Sequence, residues 1–575
     1  TPTFEGVWTA ARPFRNDIPL EPMAGTWKPW LMTSGDQFRP GPPPVYKSAQ
    51  WQAEADELVR VNANLTDDQV RIARFWADAS QAGNAAQLAL LEEWLHAACG
   101  SEAGRAATSG WVSLALPQPT DFFKLVPIMS VPADDAARVE GAATRRRDGF
   151  DLTDSRPGLR ETMDQVHYCV YCHDHGGDVC SHGFPAREGE GFRANPLDVS
   201  LSGCPLEERI SEAHTLKRDG YTLGALAMIM LDNPLLPATG HRICNDCMKS
   251  CIYQKQDAVN IPEIETRILT DVLAWRWGFE LYFTLTQWNP LKRARPYRLP
   301  YNGRNTLCVG AGPAGFNLAQ HLLQEGFGVV IVDGLKIEPL PPEWCDADGR
   351  PTQPVEHVDD LYQPLDTRTS SGFGGVAEYG ITVRWDKNFL TLIRLVLERQ
   401  STFRVYGGIR LGGTITLEDV PALGFDHVTL ATGAGRPTVL PVRNNMARGM
   451  RQASDFLMAL QLTGAAKRDS LANLQVRLPA VVIGGGLTSI DTATEVQAYY
   501  IRQVEKVLAR WEAIGESRSG LFDAYEQGVL DEFLTHGRAV RAERERAREM
   551  GELPDSAPLF RAWGGVTVVY RRSMA

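Results

Sequence analysis

The chain has 575 residues, 43% hydrophobic and 22% charged, with a formal net charge of −11. That length exceeds what one hydrophobic core serves and predicts about three to five globular domains, while the acidic balance and the lack of a long basic run exclude nucleic acid as an expected partner. Thr1 to Gly6 show no basic stretch leading into an apolar core, and the longest apolar run, Leu223 to Leu231, is too short for a bilayer, so the expectation is a cytoplasmic protein without a membrane span.

In residues 1–80, Trp8, Trp27, Trp30 and Trp51 stand among polar turns. Pro40 to Pro44 read as a polyproline spacer and Asp67 to Ala79 as an amphipathic helix. Gly25-Thr-Trp-Lys-Pro-Trp30, Ser34-Gly-Asp-Gln-Phe-Arg-Pro40 and Ile72-Ala-Arg-Phe-Trp-Ala-Asp78 resemble the segment ahead of the catalytic helices in vanadium haloperoxidase and acid phosphatase relatives. No Pro-Ser-Gly-His stretch follows, so no activity is assigned to it. Residues 81–160 read as a helical region, with apolar periodicity over Ala85 to Ala98, a mixed stretch from Trp111 to Val131, and Arg145 to Arg147 as a solvated turn.

Seven of the ten cysteines fall in the next region, 161–300. In a large chain with no secretory leader such crowding favours metal over disulfides. Cys169-x2-Cys172-x7-Cys180, then Cys204-Pro205, then Cys244-x2-Cys247-x3-Cys251 put thiols two or three residues apart on turns, where they converge on one centre. Cys204-Pro205 has the form that ends a ferredoxin-like ligand run. Seven thiols suit two 4Fe-4S clusters with one further ligand that is not cysteine. Zinc is an alternative, because His167, His173, His175 and His182 are interleaved with the cysteines, and a purely structural thiol cluster is another.

Asn305-Thr-Leu-Cys-Val-Gly-Ala-Gly-Pro-Ala-Gly315 opens a complete βαβ unit. A buried strand over Thr306 to Val309 leads into Gly310, Gly312 and Gly315, then a helix over Phe316 to Glu325 and a second strand, Val329 to Val332, ending on Asp333. The first glycine makes the turn, the second lets a pyrophosphate approach the backbone, and the third lets helix and strand pack. Asp333 stands where a carboxylate accepts from a ribose hydroxyl.

Gly203-Cys-Pro-Leu206, Asn233-Pro-Leu-Leu-Pro237, Thr239-Gly-His-Arg-Ile-Cys244, Cys251 and Val259-Asn-Ile-Pro-Glu-Ile-Glu265, followed by Gly310-Ala-Gly-Pro-Ala-Gly315, resemble the small subunit of glutamate synthase and its iron–sulfur flavoprotein relatives. The resemblance runs from about residue 165 to 575. It implies a multidomain α/β protein in which a helical iron–sulfur domain (161–300) precedes an FAD-binding domain (301–478) and an NAD(P)H-binding domain (479–575). It makes Cys169, Cys172, Cys180, Cys204, Cys244, Cys247 and Cys251 cluster ligands, with Glu265 as the eighth and Gln254 next in line. The interval from Cys172 to Cys180 is longer than the family's and that from Cys244 to Cys247 shorter, which leaves open which cysteine serves which cluster. Gly372-Phe-Gly-Gly375 and Tyr379-Gly-Ile381 resemble the family's segment against the flavin, which makes Gly374, Gly375, Tyr379 and Gly380 contacts, along with Pro313 and Ala314 of the first turn. The strand His427 to Leu430, ending in Ala431-Thr432-Gly433, resembles the close of the FAD domain, and Ser454 to Leu457 also matches.

A second turn follows: the strand Ala480 to Ile483, then Gly484, Gly485, Gly486, Leu487, Thr488 and Ser489, then a helix from Ile490 carrying Asp491, the acid found inside this helix in the family. Ser489 stands where Gly or Ala is expected. A charged helical insertion over 497–563 delays the second strand to Gly565 to Arg572, whose Arg571 and Arg572 suit a 2′-phosphate and so NADPH over NADH. The family's later strands do not follow, so the chain is expected to be a piece of a longer protein with an incomplete second site.

The implied activity is transfer of electrons between NADPH, FAD and two 4Fe-4S clusters and on to a partner subunit or domain. No side chain is assigned as catalytic, since the cofactors carry the chemistry. The alternatives are a flavin oxidoreductase acting directly on a small substrate and a non-catalytic assembly subunit with structural cofactors; oligomeric state is left open.

Overall fold

The computed structural model describes residues 147–571, apart from 153–155, 240–242, 347–349, 352, 369–371, 435–436 and 515–519, together with separate stretches between 75 and 139. The segment 1–80 lies almost wholly outside the described residues, as do Arg145, Arg146 and Arg572. In the region expected to be helical, a helix over Ala85–Gly100 is followed by an antiparallel hairpin, β1 (Ile128–Val131) and β2 (Ala136–Val139), in which Ile128 pairs with Val139. The run Ile128-Met-Ser-Val131 has strand composition and no helical spacing. Arg147, read as solvated, is instead largely buried, with its guanidinium 4.0 Å from the fully buried carboxylate of Glu495. Phe150 beside it sits in a core with Tyr379, Phe456 and Tyr499.

The cysteine-rich region is built on five helices, α1 (Leu159–Tyr168), α2 (Ile210–Arg218), α3 (Thr222–Ile229), α4 (Ile261–Leu273) and α5 (Gly278–Gln287). Helix α4 is central. Pro262 presets its first turn, and Ile261, Ile264, Ile268, Leu269 and Val272 form a stripe at helical spacing, each at most 1% exposed. Burying such a side chain contributes about 1.5–3 kcal/mol.

Next comes a parallel sheet, β3 (Asn305–Val309), β4 (Gly328–Val332), β5 (Phe403–Tyr406) and β6 (His427–Leu430), in the order β5-β4-β3-β6. Helix α6 (Pro313–Gln324) crosses from β3 to β4, and α7 (Phe389–Glu398) precedes β5. Thr306 pairs with Val329 on one side and His427 on the other, so connections reverse direction between β3 and β6. One buried cluster joins Val166, Leu226 and Ile264 of the helical region to Phe316, Val329, Ile393 and Phe403 of the sheet region, with α7 almost entirely enclosed.

After α8 (Ala453–Leu462), β7 (Ala480–Ile483) pairs in parallel with β8 (Val566–Val569), Ala480 opposite Val566. Between them run two long helices, α9 (Leu487–Ile514) and α10 (Ala524–Met550). Asp523 caps α10 by accepting from Glu526 N–H, at 2.8 Å, and Glu526 returns a bond to the Asp523 N–H. Val504 and Tyr500 of α9 meet Val529, Phe533 and Val540 of α10, and at Gly537 a methyl would lie 2.8 Å from Val504 O, so the helices approach at backbone distance there. The insertion is thus a hairpin whose first arm is a continuation of the helix that opens the second glycine turn. Among the described residues no helix is long and apolar enough to cross a membrane.

Candidate functional site

The first glycine turn lies at the carboxyl end of β3. Gly310 has φ +108°, and a methyl there would fall 2.3 Å from Ala431 O; at Gly315 it would fall 1.9 Å from Gly310 O. Both positions therefore exclude a side chain, the first because β6 passes over it, the second because α6 rests on the strand. Gly312 meets only Gly374 O, at 3.6 Å, and Pro313 and Ala314 begin α6, so the N–H groups of that first turn point toward the crevice between β3 and β6. Asp333 braces the turn: Oδ2 accepts from Ala311 N–H and Oδ1 from Leu335 N–H, both at 2.8 Å. Gly374 N–H donates to Ala311 O at 3.3 Å, and the Phe316 and Phe373 rings pack 5.0 Å apart, fixing residues 372–375 over α6. Ala431 N–H donates to Val309 O at 2.8 Å, which brings Thr432 and Gly433 to the same crevice. The structure thus collects Gly310, Gly312, Pro313, Ala314, Gly315, Asp333, Gly374, Gly375, Thr432 and Gly433 where connections reverse, the place where open parallel sheets bind ligands.

Tyr379 and Gly380 are placed differently. Tyr379 is buried among Phe150, Phe456 and Tyr499, and Gly380 N–H donates to Leu457 O at 3.0 Å. These contacts hold residues 379–380 onto α8, and at Gly380 (φ +72°) a methyl would strike Val383.

In the second turn Gly484 has φ +137° and Gly486 faces open space. Ser489, read as a small packing residue, is buried, and its hydroxyl donates back to Gly486 O at 2.5 Å. Thr488 is half-buried beside it. Gly485 is covered by the ring of Tyr570: a methyl on Gly485 would lie 2.5 Å from Cγ of that ring. Nothing in the motif signals this contact, since Tyr570 comes from beyond the helical hairpin. Arg571 follows, exposed, just past the end of β8.

The two turns are tied together by residues 378–388, of which sequence reading singled out only Tyr379 to Ile381. Glu495, on α9 and fully buried, accepts from Ile381 N–H (2.8 Å), Thr382 N–H (3.1 Å) and Thr382 Oγ1 (2.6 Å). Asp491 accepts from Arg384 Nε at 2.9 Å, and Arg384 lies over the Tyr379 ring. Arg368 and Glu378 form a buried ion pair at 2.5 Å. Lys387 is fully enclosed, its Nζ making no hydrogen bond and lying 5.7 Å from the Trp385 ring centre. Burial lowers its pKa to about 7.

Among the described residues no three His, Cys, Asp or Glu side chains close on a point that would hold a single metal ion. The thiols nonetheless fall into two groups. Cys169, Cys172, Cys180 and Cys251 wall one cavity, with Ile210, Ser211, His214, Tyr253, Val259 and Ile261 among the other residues that line it. Cys204, Cys244 and Cys247 lie within electrostatic reach of Glu265 and Glu208. Backbone contacts bring the segments together: Cys204 N–H donates to Cys180 O at 2.9 Å and Gly203 N–H to Ser250 Oγ at 2.9 Å. Gly203, at φ +77°, leaves no room for a methyl, which would lie 2.4 Å from Ser181 O. Burial pushes the Cys169 and Cys204 thiols up to about 11 and about 12, and raises Cys172, Cys180, Cys244, Cys247 and Cys251 as well. Such thiols become thiolates only beside a compensating cationic centre. Glu265 is raised well above the carboxylate range by burial and then by Glu208, with which it shares a hydrogen bond. Gln254, the other candidate, has a buried amide oxygen without a partner. His167, His175 and His182 are exposed, and His173 is engaged with Ser211 at 2.7 Å, so none of the four lines the cavity. The histidine that does is His214, which carries no motif.

Comparison with known proteins gives matches to part of the chain. Residues 304–518 match the family model described as pyridine nucleotide-disulphide oxidoreductase. The chain is 44% identical over 337 residues to an uncharacterized protein of Rickettsia prowazekii, covering 59% of this chain and 45% of that one. It is 26% identical over 299 residues to the NADPH glutamate synthase small chain of Mycobacterium tuberculosis, half of each chain. Against the putative oxidoreductase AegA of Escherichia coli it is 24% identical over 344 residues, covering 57% of this chain and 43% of that one. The chain spans half or less of the length of these relatives. The likeness read at residues 1–80 to haloperoxidases and phosphatases finds no support in these matches. The match over 304–518 takes in the glycine turn at β3 and makes that region similar to the pyridine nucleotide-disulphide oxidoreductase family.

Proposed function

We propose that this protein is an NAD(P)H-dependent iron–sulfur flavoprotein that moves electrons between NADPH, FAD and two 4Fe-4S clusters and a partner subunit or domain. The observation that carries the reading is the division of the cysteines into a four-thiol cavity and a three-thiol group with a buried carboxyl, next to a dinucleotide crevice in the same hydrophobic core. Bound flavin and nicotinamide supply hydride transfer, and bound clusters supply single-electron transfer.

The chain's own residues do the positioning. The N–H groups at the start of α6 receive a pyrophosphate beside Gly312, and the Asp333 oxygens, already aligned by Ala311 and Leu335, accept from a ribose. Gly484 to Ser489 and the start of α9 would do the same for a second nucleotide, with Arg571, exposed just past β8, available to its 2′-phosphate. Cys169, Cys172, Cys180 and Cys251 hold one cluster; Cys204, Cys244, Cys247 and Glu265 hold the other. The donors fit: buried thiols far above their ordinary pKa and buried polar groups without protein partners are what a cationic, sulfur-rich centre would satisfy. Relatives named as glutamate synthase chains support a partner subunit and do not by themselves name the acceptor.

The test is a visible spectrum of anaerobically purified protein before and after NADPH, with iron analysis. Flavin bands over a broad shoulder near ~400 nm, both bleaching, are expected. Flavin without a shoulder, alongside stoichiometric zinc, would overturn the cluster assignment.

A further inference from the structure

Besides the thiols, two polar side chains of α2, Ser211 and His214, line the four-thiol cavity. His214, on α2, is 1% exposed, and neither ring nitrogen has a hydrogen-bond partner. It lines the cavity with Cys169, Cys172, Cys180 and Cys251. Its neighbour Ser211 is already engaged with His173 Nδ1, and Ile210, Ala213 and Leu216 on the same helix are apolar and buried. A neutral imidazole always carries one N–H, and an unpaired buried donor costs about 1–3 kcal/mol. A leucine would fill this apolar surround without that cost, so the ring at this place points to an acceptor in the cavity.

We propose that His214 is a positioning residue for the centre held by Cys169, Cys172, Cys180 and Cys251, donating a hydrogen bond to its sulfur and thereby raising its reduction potential. The inference rests on the iron–sulfur reading above. A donor to sulfur is worth more when the centre carries its extra electron, because the sulfur is then more negative, so reduction is favoured. Because His214 lines the four-thiol cavity, the shift belongs to that centre and not to the one beside Glu265.

The test is an EPR-monitored redox titration of the whole protein, with iron content measured in parallel, for wild type, His214→Phe and His214→Gln. His214→Phe is expected to keep its iron while one of the two reduction steps shifts about tenfold toward the oxidised form, 59 mV for one electron, and the other step stays. His214→Gln, which keeps an N–H, is expected to recover most of that shift. Two unmoved steps, or two steps moving equally, would overturn the proposal. As a measurement that needs no variant to fold, the reduced wild type labelled with 15N-histidine is expected to show an imidazole nitrogen coupled to the cluster electron; its absence also overturns the proposal. Wild type lacking iron would remove the iron–sulfur reading and this inference together, whereas iron present with unmoved steps removes the inference alone.

Discussion

Lys387 shows how a single side chain reports on the junction between the two nucleotide regions. Its ammonium is fully enclosed near Glu378, Arg368, Glu495 and Asp491, and burial outweighs the carboxylates, so the folded pKa is about 7 against an ordinary 10.5. Between those values the unfolded chain binds the proton and the folded chain does not, so stability rises with pH from about 7 toward 10.5; below 7 the cost of charging the buried amine is fully present. Lys387→Met is therefore expected to stabilise the protein by a few kcal/mol at pH 6.5 and by much less at pH 9.5, measured by urea unfolding. A gain equal at both pH values would mean that packing, not charge, governs the site. Gly310 is the complementary case. Gly310→Ala places a methyl 2.3 Å from Ala431 O at positive φ, and the expected result is loss of flavin from the purified protein, read by the ratio of visible to ultraviolet absorbance.

At the scale of elements, α9 matters most. Its first turn closes the second glycine loop, its Glu495 clamps the Ile381–Thr382 backbone, and its far half packs on α10. Glu495→Ala strips the acceptor from two buried N–H groups and a hydroxyl, which should cost at least about 2–3 kcal/mol. Hydrogen exchange at the Ile381 and Thr382 amides should quicken while that of β3 amides holds. Unchanged exchange at 381 and 382 would show that the clamp is not what orders the segment. The same clamp explains why Tyr379 and Gly380 are packed on α8 rather than standing at the crevice: residues 378–386 act as the strap between turns.

For the whole molecule, the cysteine region and the β3–β6 sheet share one buried cluster. They are expected to unfold together. Leu273→Ala, at the end of α4 away from Glu265 and buried in that cluster, should cost about 2–5 kcal/mol. It should lower the midpoint of flavin release and of far-UV circular dichroism by the same amount. Two separated transitions would show the cores to be independent.

What could be read from residues alone was local. G-x-G-x-x-G after a short apolar strand, Asp333 at the end of the next, and clustered Cys-x2-Cys all sit within a few turns of chain, where backbone geometry and side-chain spacing are decided by neighbours in sequence. Strands β3, β4, β6 and β7 and the start of α6 appeared within three residues of where the pattern put them, whereas β5 was not read from the sequence. The allocation of Cys251 to the group of Cys169 and of Cys204 to that of Cys244 could not be read, because each pairing crosses tens of residues and is settled by α2, α4 and the Gly203–Ser250 contact. His214 and Glu208 carry no motif, and only burial without a partner, or beside Glu265, singles them out. Tyr570 over Gly485 and Glu495 under Thr382 likewise depend on elements that meet only when the helical hairpin folds back. Sequence by itself determined the turns and the donor types, because those are properties of short stretches; tertiary structure alone decided which donors face one another, because that depends on how buried surfaces far apart in the chain are matched.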